Sequence, residues 1–274
     1  MRDLLRLARA GNLLIAAAGV CAGGWIALGT LALPKLLVFA ALSGIGLGAA
    51  GNALNDLADV VADRVNRPGG ERPLAAGRLS RHTAEGVVFM GALLGIALAG
   101  LVSGVQVVVA LAALAVMAAY SPWLKRRGLP GNVAVAVIAG LPLFYGALAA
   151  GASAAGLVPW ALAAWLHFAR EIVKDLVDEP GDRAAGRRTL PLTVGAAQAT
   201  RIACWLLIAF IPLSELLPWA AGYTGWYFGF AVVAQLITLG TALQLRRGRL
   251  AGASNLLKAA MVTGLAALVL GRIA

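Results

Sequence analysis

Residues 52–73 read NALNDLADVVADRVNRPGGERP, and this stretch decides the fold because it joins an apolar helix to a charged loop. Its aspartates follow the spacing D-x2-D-x3-D, which returns in REIVKDLVDEPGD at 170–182. Both copies lie where a predicted helix ends. Together they hold six of the seven aspartates in the chain: Asp56, Asp59, Asp63, Asp175, Asp178 and Asp182.

The composition indicates a membrane protein. Of the 274 residues, 61% are hydrophobic and only 13% are charged, which is typical of polytopic membrane proteins and not of soluble domains. The net charge of +11 would suit nucleic acid, but the basic residues occupy short loops between apolar runs and form no single binding face, so we expect no nucleic-acid partner. The two cysteines, Cys21 and Cys204, lie in apolar runs and predict neither a disulfide framework nor a cysteine metal site.

The apolar runs predict nine transmembrane helices, since about 20 helical residues cross the hydrocarbon core. With the N-terminus inside, 21 of the 23 basic residues fall in inner segments, so the positive-inside rule favours N-in, C-out topology. We expect one polytopic domain, 1–274, in the cell membrane, with an active site facing the cytoplasm. Its long inner loops 59–83 and 177–199 are expected to carry the aspartate-rich motifs. The predicted spans are 11–33, 36–58, 84–103, 105–121, 132–150, 157–176, 200–220, 223–245 and 254–273.

The aspartate spacing places three carboxylates on one helix face. Two carboxylates about 6 Å apart repel by roughly 3 kcal/mol at an effective dielectric near 20. Cations are therefore needed, and Mg²⁺ is the natural candidate because it binds carboxylate oxygens and phosphates together. The alternative is that these are solvated charges at helix ends. The predicted metal ligands are Asp56, Asp59, Asp63, Asp175, Asp178 and Asp182.

Basic residues next to the clusters predict a phosphate partner. Arg67 and Arg72 lie in N-R-P-G-G-E-R-P, where the X-Pro steps stiffen the backbone and arginine suits bidentate phosphate contacts. Tyr120 and Lys125 lie together in YSPWLK at the inner end of the fourth span. Topology charges and an interfacial aromatic belt remain alternative explanations.

These segments resemble the UbiA superfamily of intramembrane prenyltransferases. NALNDLADVVADRVNRPGGERPLAAGRLS (52–80) is similar to its first signature, and REIVKDLVDEPGDRAAGRRTLPLTVG (170–195) is similar to its second. YSPWLK (120–125) and R-A-G-N (9–12) resemble two shorter family motifs. The resemblance implies a helical bundle around a central cavity that opens sideways to lipid, with aspartates at the cytoplasmic rim and Mg²⁺-dependent transfer of a prenyl group from its diphosphate.

The second signature is most similar to the group that acts on geranylgeranylglyceryl phosphate in ether-lipid synthesis. The segment Gly69-Gly70-Glu71 between the prolines departs from that group's shorter spacing. An aromatic acceptor in quinone or pigment synthesis therefore stays open, as does, more remotely, a non-enzymatic membrane transporter. We expect the partners to be a prenyl diphosphate, a lipophilic acceptor and membrane lipid.

Motif positions and chemistry together give the remaining site predictions. Asp56 or Asp175 is expected to take the proton of the acceptor, with Lys174 and Tyr120 as further catalytic residues. The predicted diphosphate-binding residues are Asn12, Asn52, Asn55, Arg67, Arg72, Lys125 and Arg183.

Overall fold

The computed structural model describes residues 1–67, 70–124 and 127–273. Over these ranges the chain forms α-helices and contains no β-strand. A π-helical turn, Tyr120–Leu124, follows α5, and a 3-10 turn, Ser153–Gly156, precedes α7. The helices are α1 (Arg2–Ala8), α2 (Ala10–Leu28), α3 (Lys35–Asn66), α4 (Arg81–Gly100), α5 (Gly104–Ala119), α6 (Leu129–Ala149), α7 (Leu157–Ala184), α8 (Leu190–Val194), α9 (Ala196–Ala220), α10 (Gly225–Arg246) and α11 (Ala253–Ile273).

The prediction of an all-helical membrane protein is confirmed, and each predicted span falls on one helix. Within the described ranges, seven helices are long and apolar enough to cross a membrane, namely α2, α3, α4, α6, α9, α10 and α11. Helix α5 is apolar but has only 16 residues, and α7 is not among the seven. The charged second half of α7 explains this, since it carries the second aspartate triad.

Large apolar side chains on the outer surface fit a lipid environment. Phe89, Trp205 and Trp226 are all exposed, as are many leucines and valines of the long helices. Inside, one apolar core joins α7, α9, α10 and α11, and a second joins α2, α3, α5 and α6. Residues of both cores line the space that holds the candidate site.

Glycines allow α2 and α6 to pack closely. A Cβ atom at Gly23 would lie 1.9 Å from the carbonyl oxygen of Leu143, and one at Gly146 would lie 1.8 Å from that of Val20. Neither position leaves room for a side chain, which is the small-residue packing expected between membrane helices.

Helices α3 and α7 are the longest in the fold, and their C-terminal turns run side by side. Asn66 at the end of α3 donates a hydrogen bond of 3.0 Å to the carbonyl oxygen of Asp178 and accepts one of 2.8 Å from the backbone N–H of Gly181. This link brings the two aspartate triads to the same end of the bundle.

Candidate active site

A cavity of about 760 Å³ opens between the helices at that end, with walls from α2, α3, α5, α6, α7, α9, α10 and α11. Its polar end is formed by the charged turns of α3 and α7. Its other end is lined by apolar side chains such as Leu162, Phe210 and Leu268. The volume lies within the range usual for small-molecule sites. A ligand with a charged head and an apolar tail fits this division.

Arg9 is placed at the polar end by an unusual backbone. It lies between α1 and α2 with φ of 56°, the one non-glycine positive φ over the described residues. Such a conformation costs about 1–3 kcal/mol. The turn directs the guanidinium to Asp56 on α3, whose Oδ1 it reaches at 2.5 Å. Asn52 fixes the same turn by donating a hydrogen bond of 2.8 Å to the carbonyl oxygen of Ala8.

Arg67 connects the two aspartate triads. Its Nη1 donates to Asp63 at 2.6 Å, and its Nη2 donates to both carboxylate oxygens of Asp178 at 3.3 and 3.2 Å. Arg72 lies 3.7 Å from carboxylate oxygens of both Asp56 and Asp63. Asp63 on α3 and Asp178 on α7 therefore share one cation, Arg67, across the end of the cavity.

The cations at this end also affect one another. Burial, followed by the neighbouring Arg9 guanidinium, lowers the pKa of Arg72 below its ordinary value, although Asp56 and Asp63 act in the opposite direction. Arg9, Arg67 and Arg72 all line the cavity. Crowded guanidinium groups of this kind are favourable for an anion with several charged oxygens.

Arg187 forms the second bridge between α3 and α7. Its Nη1 donates to Asp182 at 2.8 Å, and its Nη2 donates to Asp59. Burial opposes the charge of this guanidinium, but the two carboxylates outweigh burial and raise the pKa of Arg187 above its ordinary value. All three side chains are buried, so each charge depends on its partners.

Asp175 lies on the cavity wall and is oriented by α6. The side-chain amide of Asn132 donates a hydrogen bond of 2.8 Å to its Oδ2. Tyr120, at the end of α5, lies within electrostatic range of Asp175, Asp59 and Glu171. Lys174, one residue earlier on α7, instead donates to both carboxylate oxygens of Glu171 at 2.9 and 2.8 Å.

The structure brings most of the predicted site residues to this cavity. Asp56 and Asp182 lie behind its surface, where they hold Arg9 and Arg187. Arg183 is exposed, pairs with Glu179 and is not brought to the cavity. Lys125 lies outside the described residues. The predicted residues that line the cavity are Asn12, Asn52, Asn55, Asp59, Asp63, Arg67, Arg72, Tyr120, Lys174, Asp175 and Asp178.

Four further residues complete this arrangement and were absent from the predicted set: Arg9, Asn66, Asn132 and Arg187. Arg187 lies in a loop full of basic residues, where topology explains any single arginine equally well. Asn132 is far from either triad in sequence and has no motif around it. Arg9 belongs to the R-A-G-N motif, but no role was predicted for its side chain. Only Asn66, directly before the N-R-P segment, offered a local signal.

The carboxylates suit a divalent cation, although they are now held by arginines. Over the described residues, no three acidic, histidine or cysteine side chains are grouped closely enough to hold a metal ion. The oxygens are nevertheless of the hard type that Mg²⁺ prefers. One oxygen each of Asp56 and Asp182 is buried without a hydrogen-bond partner in this structure. The donor set therefore has unused capacity for a cation.

Comparison with known proteins agrees with this geometry. Residues 15–269 match the model of the UbiA prenyltransferase family. The digeranylgeranylglyceryl phosphate synthase of Halobacterium salinarum strain R1 is 35% identical, over 99% of this chain and 98% of that protein. The chain belongs to the UbiA prenyltransferase family. The resemblance predicted from the two signatures is therefore confirmed, and so is the prediction of a prenyltransferase.

Solved structures show that the UbiA fold extends over the whole chain. One that concerns digeranylgeranylglyceryl phosphate synthase in membranes has a TM-score of 0.79 at 24% identity, over 99% of this chain and 98% of that chain. A UbiA homolog from Archaeoglobus fulgidus, bound to GPP and Mg²⁺, has a TM-score of 0.70 at 19% identity, over 97% and 99% of the two chains. Membership and the apolar helices together make this UbiA-family chain a multi-pass membrane protein.

Proposed function

We propose that this protein transfers a geranylgeranyl group from its diphosphate to a glyceryl phosphate lipid that already carries one such chain, a step in ether-lipid synthesis. The observation that carries the proposal is the cavity itself, with three arginines and two aspartate-bearing helix ends at one end and apolar walls at the other. The name of the 35% identical relative supports the choice of acceptor.

The diphosphate binds at the arginine-rich end. Arg9, Arg67 and Arg72 surround the space where its oxygens would lie, and arginine recognises such oxygens through paired N–H donors. Asn12 and Asn55 on the same walls supply further polar contacts. Asn52 acts indirectly, because its amide holds the turn that presents Arg9.

We propose that the aspartates hold Mg²⁺, an ion that is also bound in a structure of the Archaeoglobus fulgidus homolog. Asp59, Asp63, Asp175 and Asp178 line the cavity and supply oxygens directly. Asp56 and Asp182 have buried oxygens without partners and would join the ligands if their arginines turn away. When bound, Mg²⁺ supplies positive charge that stabilises the departing diphosphate.

The apolar walls protect the reactive carbon. As the bond between C1 of the prenyl chain and the diphosphate oxygen breaks, the bonding electrons leave with the diphosphate and positive charge develops on the allylic carbon. Leu162, Leu166 and Phe210 exclude water from the cavity beyond the charged end. The acceptor hydroxyl is then the nucleophile at hand, and its oxygen forms the ether bond to C1.

Asp175 is the better placed of the two carboxylates expected to take the proton released by that hydroxyl. It lines the cavity, and Asn132 fixes one of its oxygens. Asp56 lies behind the surface and is bound to Arg9. Tyr120 and Lys174 border the same space and contribute to positioning.

The placement in the membrane follows from the charges. We propose that nine helices, including the short α5 and the charged α7, cross the bilayer with the N-terminus inside and the C-terminus outside. The start of α2 and the ends of α3 and α7 meet at the candidate site, as alternating spans require. The basic segments beside them favour the cytoplasm for this end.

The test is a transfer assay with the whole protein in lipid vesicles. Geranylgeranyl diphosphate is offered with geranylgeranylglyceryl phosphate or with a hydroxylated aromatic acid, each with Mg²⁺ or with EDTA. We expect an ether product and diphosphate release with the glyceryl phosphate lipid and Mg²⁺ only. Transfer to the aromatic acid alone would assign the aromatic alternative, and absence of diphosphate release with either would favour a transporter.

Asp63→Asn tests the carboxylate role in the same assay, with Glu85→Gln as the matched control. Asp63 lines the cavity, whereas Glu85 pairs with Arg81 on the exposed face of α4. We expect Asp63→Asn to reduce turnover by at least a hundredfold and Glu85→Gln to leave it unchanged. Equal Mg²⁺-dependent turnover in both variants would contradict the proposed role.

A further inference from the structure

A second charged group lies in the same cavity and is not used by the diphosphate site. It consists of Arg170, Glu171 and Lys174 on α7 and Lys258 on α11, all of which line the cavity. The Nε of Arg170 donates a hydrogen bond of 3.3 Å to the carbonyl oxygen of Ser254, which ties the two helices together. We call these four residues the α7–α11 cluster.

The α7–α11 cluster has an excess of positive charge. Glu171 is its one carboxylate, and it is shared between Lys174 at 2.8 Å and Arg170 at 3.5 Å. Lys258 lies within electrostatic range of both cations and forms no ion pair with Glu171 in the structure. Three cations against one carboxylate leave a formal charge of +2 on the described side chains of the cluster.

The diphosphate end has the opposite balance. There, six aspartates face four arginines, Arg9, Arg67, Arg72 and Arg187, so the described side chains carry a formal charge of −2. That end requires additional cations before it binds an anion. The α7–α11 cluster requires none and is suited to bind an anion directly.

Lys174 of the cluster adjoins Asp175, but the outer parts of the two groups are far enough apart to hold two different anions. Arg170 and Asp178 are eight residues apart on the same helix. At 1.5 Å per residue their Cα atoms are separated by about 12 Å along α7. The apolar part of the cavity lies on the N-terminal side of Arg170 along α7, and His167 is the first residue of its wall on that side.

His167 gives a second, independent sign of a polar ligand. Its Nδ1 is shielded from solvent and has no hydrogen-bond partner in the structure, although the ring lines the cavity one turn before Glu171. A buried polar atom without a hydrogen-bond partner is unfavourable. A ligand hydroxyl or phosphate oxygen beside Arg170 would satisfy it.

We propose that the α7–α11 cluster binds the phosphate group of the acceptor lipid, with Lys258 at the mouth of the cavity and Arg170 and Lys174 inside. This inference rests on the proposed function and extends it, because it assigns the acceptor as an anionic lipid phosphate and locates its head group. Phosphate and hydroxyl are attached to the same three-carbon glycerol, so binding the phosphate here holds the hydroxyl between the cluster and Asp175.

The experiment compares two acceptors that differ only in the phosphate: geranylgeranylglyceryl phosphate and the same ether alcohol without phosphate. The wild-type protein in vesicles is expected to prefer the phosphorylated acceptor. Lys258→Met and Lys174→Met should each raise the KM for that acceptor on the order of tenfold or more, the loss expected for one charged hydrogen bond. For Lys258→Met, the kcat/KM for the neutral alcohol and the KM for geranylgeranyl diphosphate should not change.

Two further variants secure the interpretation. Lys258→Arg keeps the charge and should restore the KM for the phosphorylated acceptor. Arg247→Gln removes an exposed cation outside the cavity and should change nothing. Inorganic phosphate is added as a competitor and should inhibit only weakly if the lipid tail contributes to binding. An inhibition constant for inorganic phosphate as low as the KM for the phosphorylated acceptor would overturn the assignment to a lipid phosphate.

Failure of this inference is distinguishable from failure of the proposed function. If the wild-type protein transfers no prenyl group to either acceptor, the proposed function is wrong. If it transfers to both with equal kcat/KM, or if Lys258→Met and Lys174→Met keep the wild-type preference for the phosphorylated acceptor, the function stands and the cluster does not bind the phosphate.

Discussion

Asn66 accepts a hydrogen bond of 2.8 Å from the backbone N–H of Gly181, and this contact fixes the distance between the two aspartate-bearing helices. A Cβ atom at Gly181 would lie 2.3 Å from Nδ2 of Asn66. Proline at position 180 removes one N–H from this stretch of α7. The end of α7 is thus positioned by a side chain of α3 as well as by its own backbone.

We predict that Gly181→Ala separates α3 from α7. The added methyl group cannot fit without moving Asn66, so the bridges of Arg67 and Arg187 between the helices should lengthen. We expect turnover to fall at least tenfold and the midpoint of thermal unfolding in detergent to fall by several degrees. Both are measured on the purified protein.

The control for this variant is Gly186→Ala. Unlike Gly181, Gly186 has no neighbour within 4 Å of an added Cβ, but its φ is 63°, so only backbone strain is introduced there. A loss of activity in Gly186→Ala as large as that in Gly181→Ala would show that spacing between the helices is not the cause.

The Asn66–Gly181 contact also shows how far the sequence leads. The sequence predicted that the two triads form one site. This was possible because their spacing and their position at inner helix ends can be recognised from neighbouring residues alone. Apolar length likewise predicted the helices that coincide with the nine spans, since a span is defined by its own composition, whereas the short α1 and α8 lie outside every predicted span. The family signatures then predicted the chemistry that membership in the UbiA family confirms.

Contacts between distant helices were not predictable in this way. Asn132 on α6 holds Asp175, and Arg187 reaches across to Asp59, yet neither pairing has a sequence spacing that suggests it. Arg183 and Arg187 are equivalent as charges in one loop, and only the turn after α7 separates an exposed side chain from a buried one. Packing of the folded helices decides which of these arginines is buried and which carboxylates it contacts.

Arg187 is predicted to be required for stability as well as for activity. It is the cation partner of Asp182 and also contacts Asp59, and all three side chains are buried. Arg187→Gln removes the positive charge that the two buried carboxylates share, and breaking a buried ion pair typically costs about 3–5 kcal/mol. We expect a lower midpoint of thermal unfolding that Mg²⁺ partly restores, since the freed carboxylates would bind it.

Arg188→Gln provides the matched control, because Arg188 is the exposed neighbour in the same loop. Its unfolding midpoint should equal that of the wild-type protein, with and without Mg²⁺. An unchanged midpoint in Arg187→Gln would indicate that Asp59 and Asp182 are neutral in the folded protein.

The close packing of α2 against α6 gives a prediction about folding alone. Gly146→Ala places a Cβ atom 1.8 Å from the carbonyl oxygen of Val20, a contact that only backbone movement relieves. We expect a loss of stability of about 1–3 kcal/mol, the usual cost of overpacking. Gly240→Ala in α10 meets no atom within 4 Å and should be neutral or slightly stabilising, as measured by urea or thermal unfolding in detergent.

Arg67 and Arg183 provide a paired test of the diphosphate site. Both were predicted from the sequence to bind diphosphate, but Arg67 lines the cavity between Asp63 and Asp178, whereas Arg183 pairs with Glu179 at the surface. We expect Arg67→Gln to raise the KM for geranylgeranyl diphosphate and to lower kcat, since the cation contributes to both binding and departure of the diphosphate.

Arg183→Gln should keep both constants within about twofold of wild type, because an exposed ion pair contributes only about 0–1 kcal/mol. The measurement is a series of initial rates against prenyl diphosphate concentration at saturating acceptor and Mg²⁺. If Arg183→Gln lost as much kcat/KM as Arg67→Gln, the end of α7 would have to move over the cavity during turnover, bringing Arg183 to the proposed diphosphate position near Arg67.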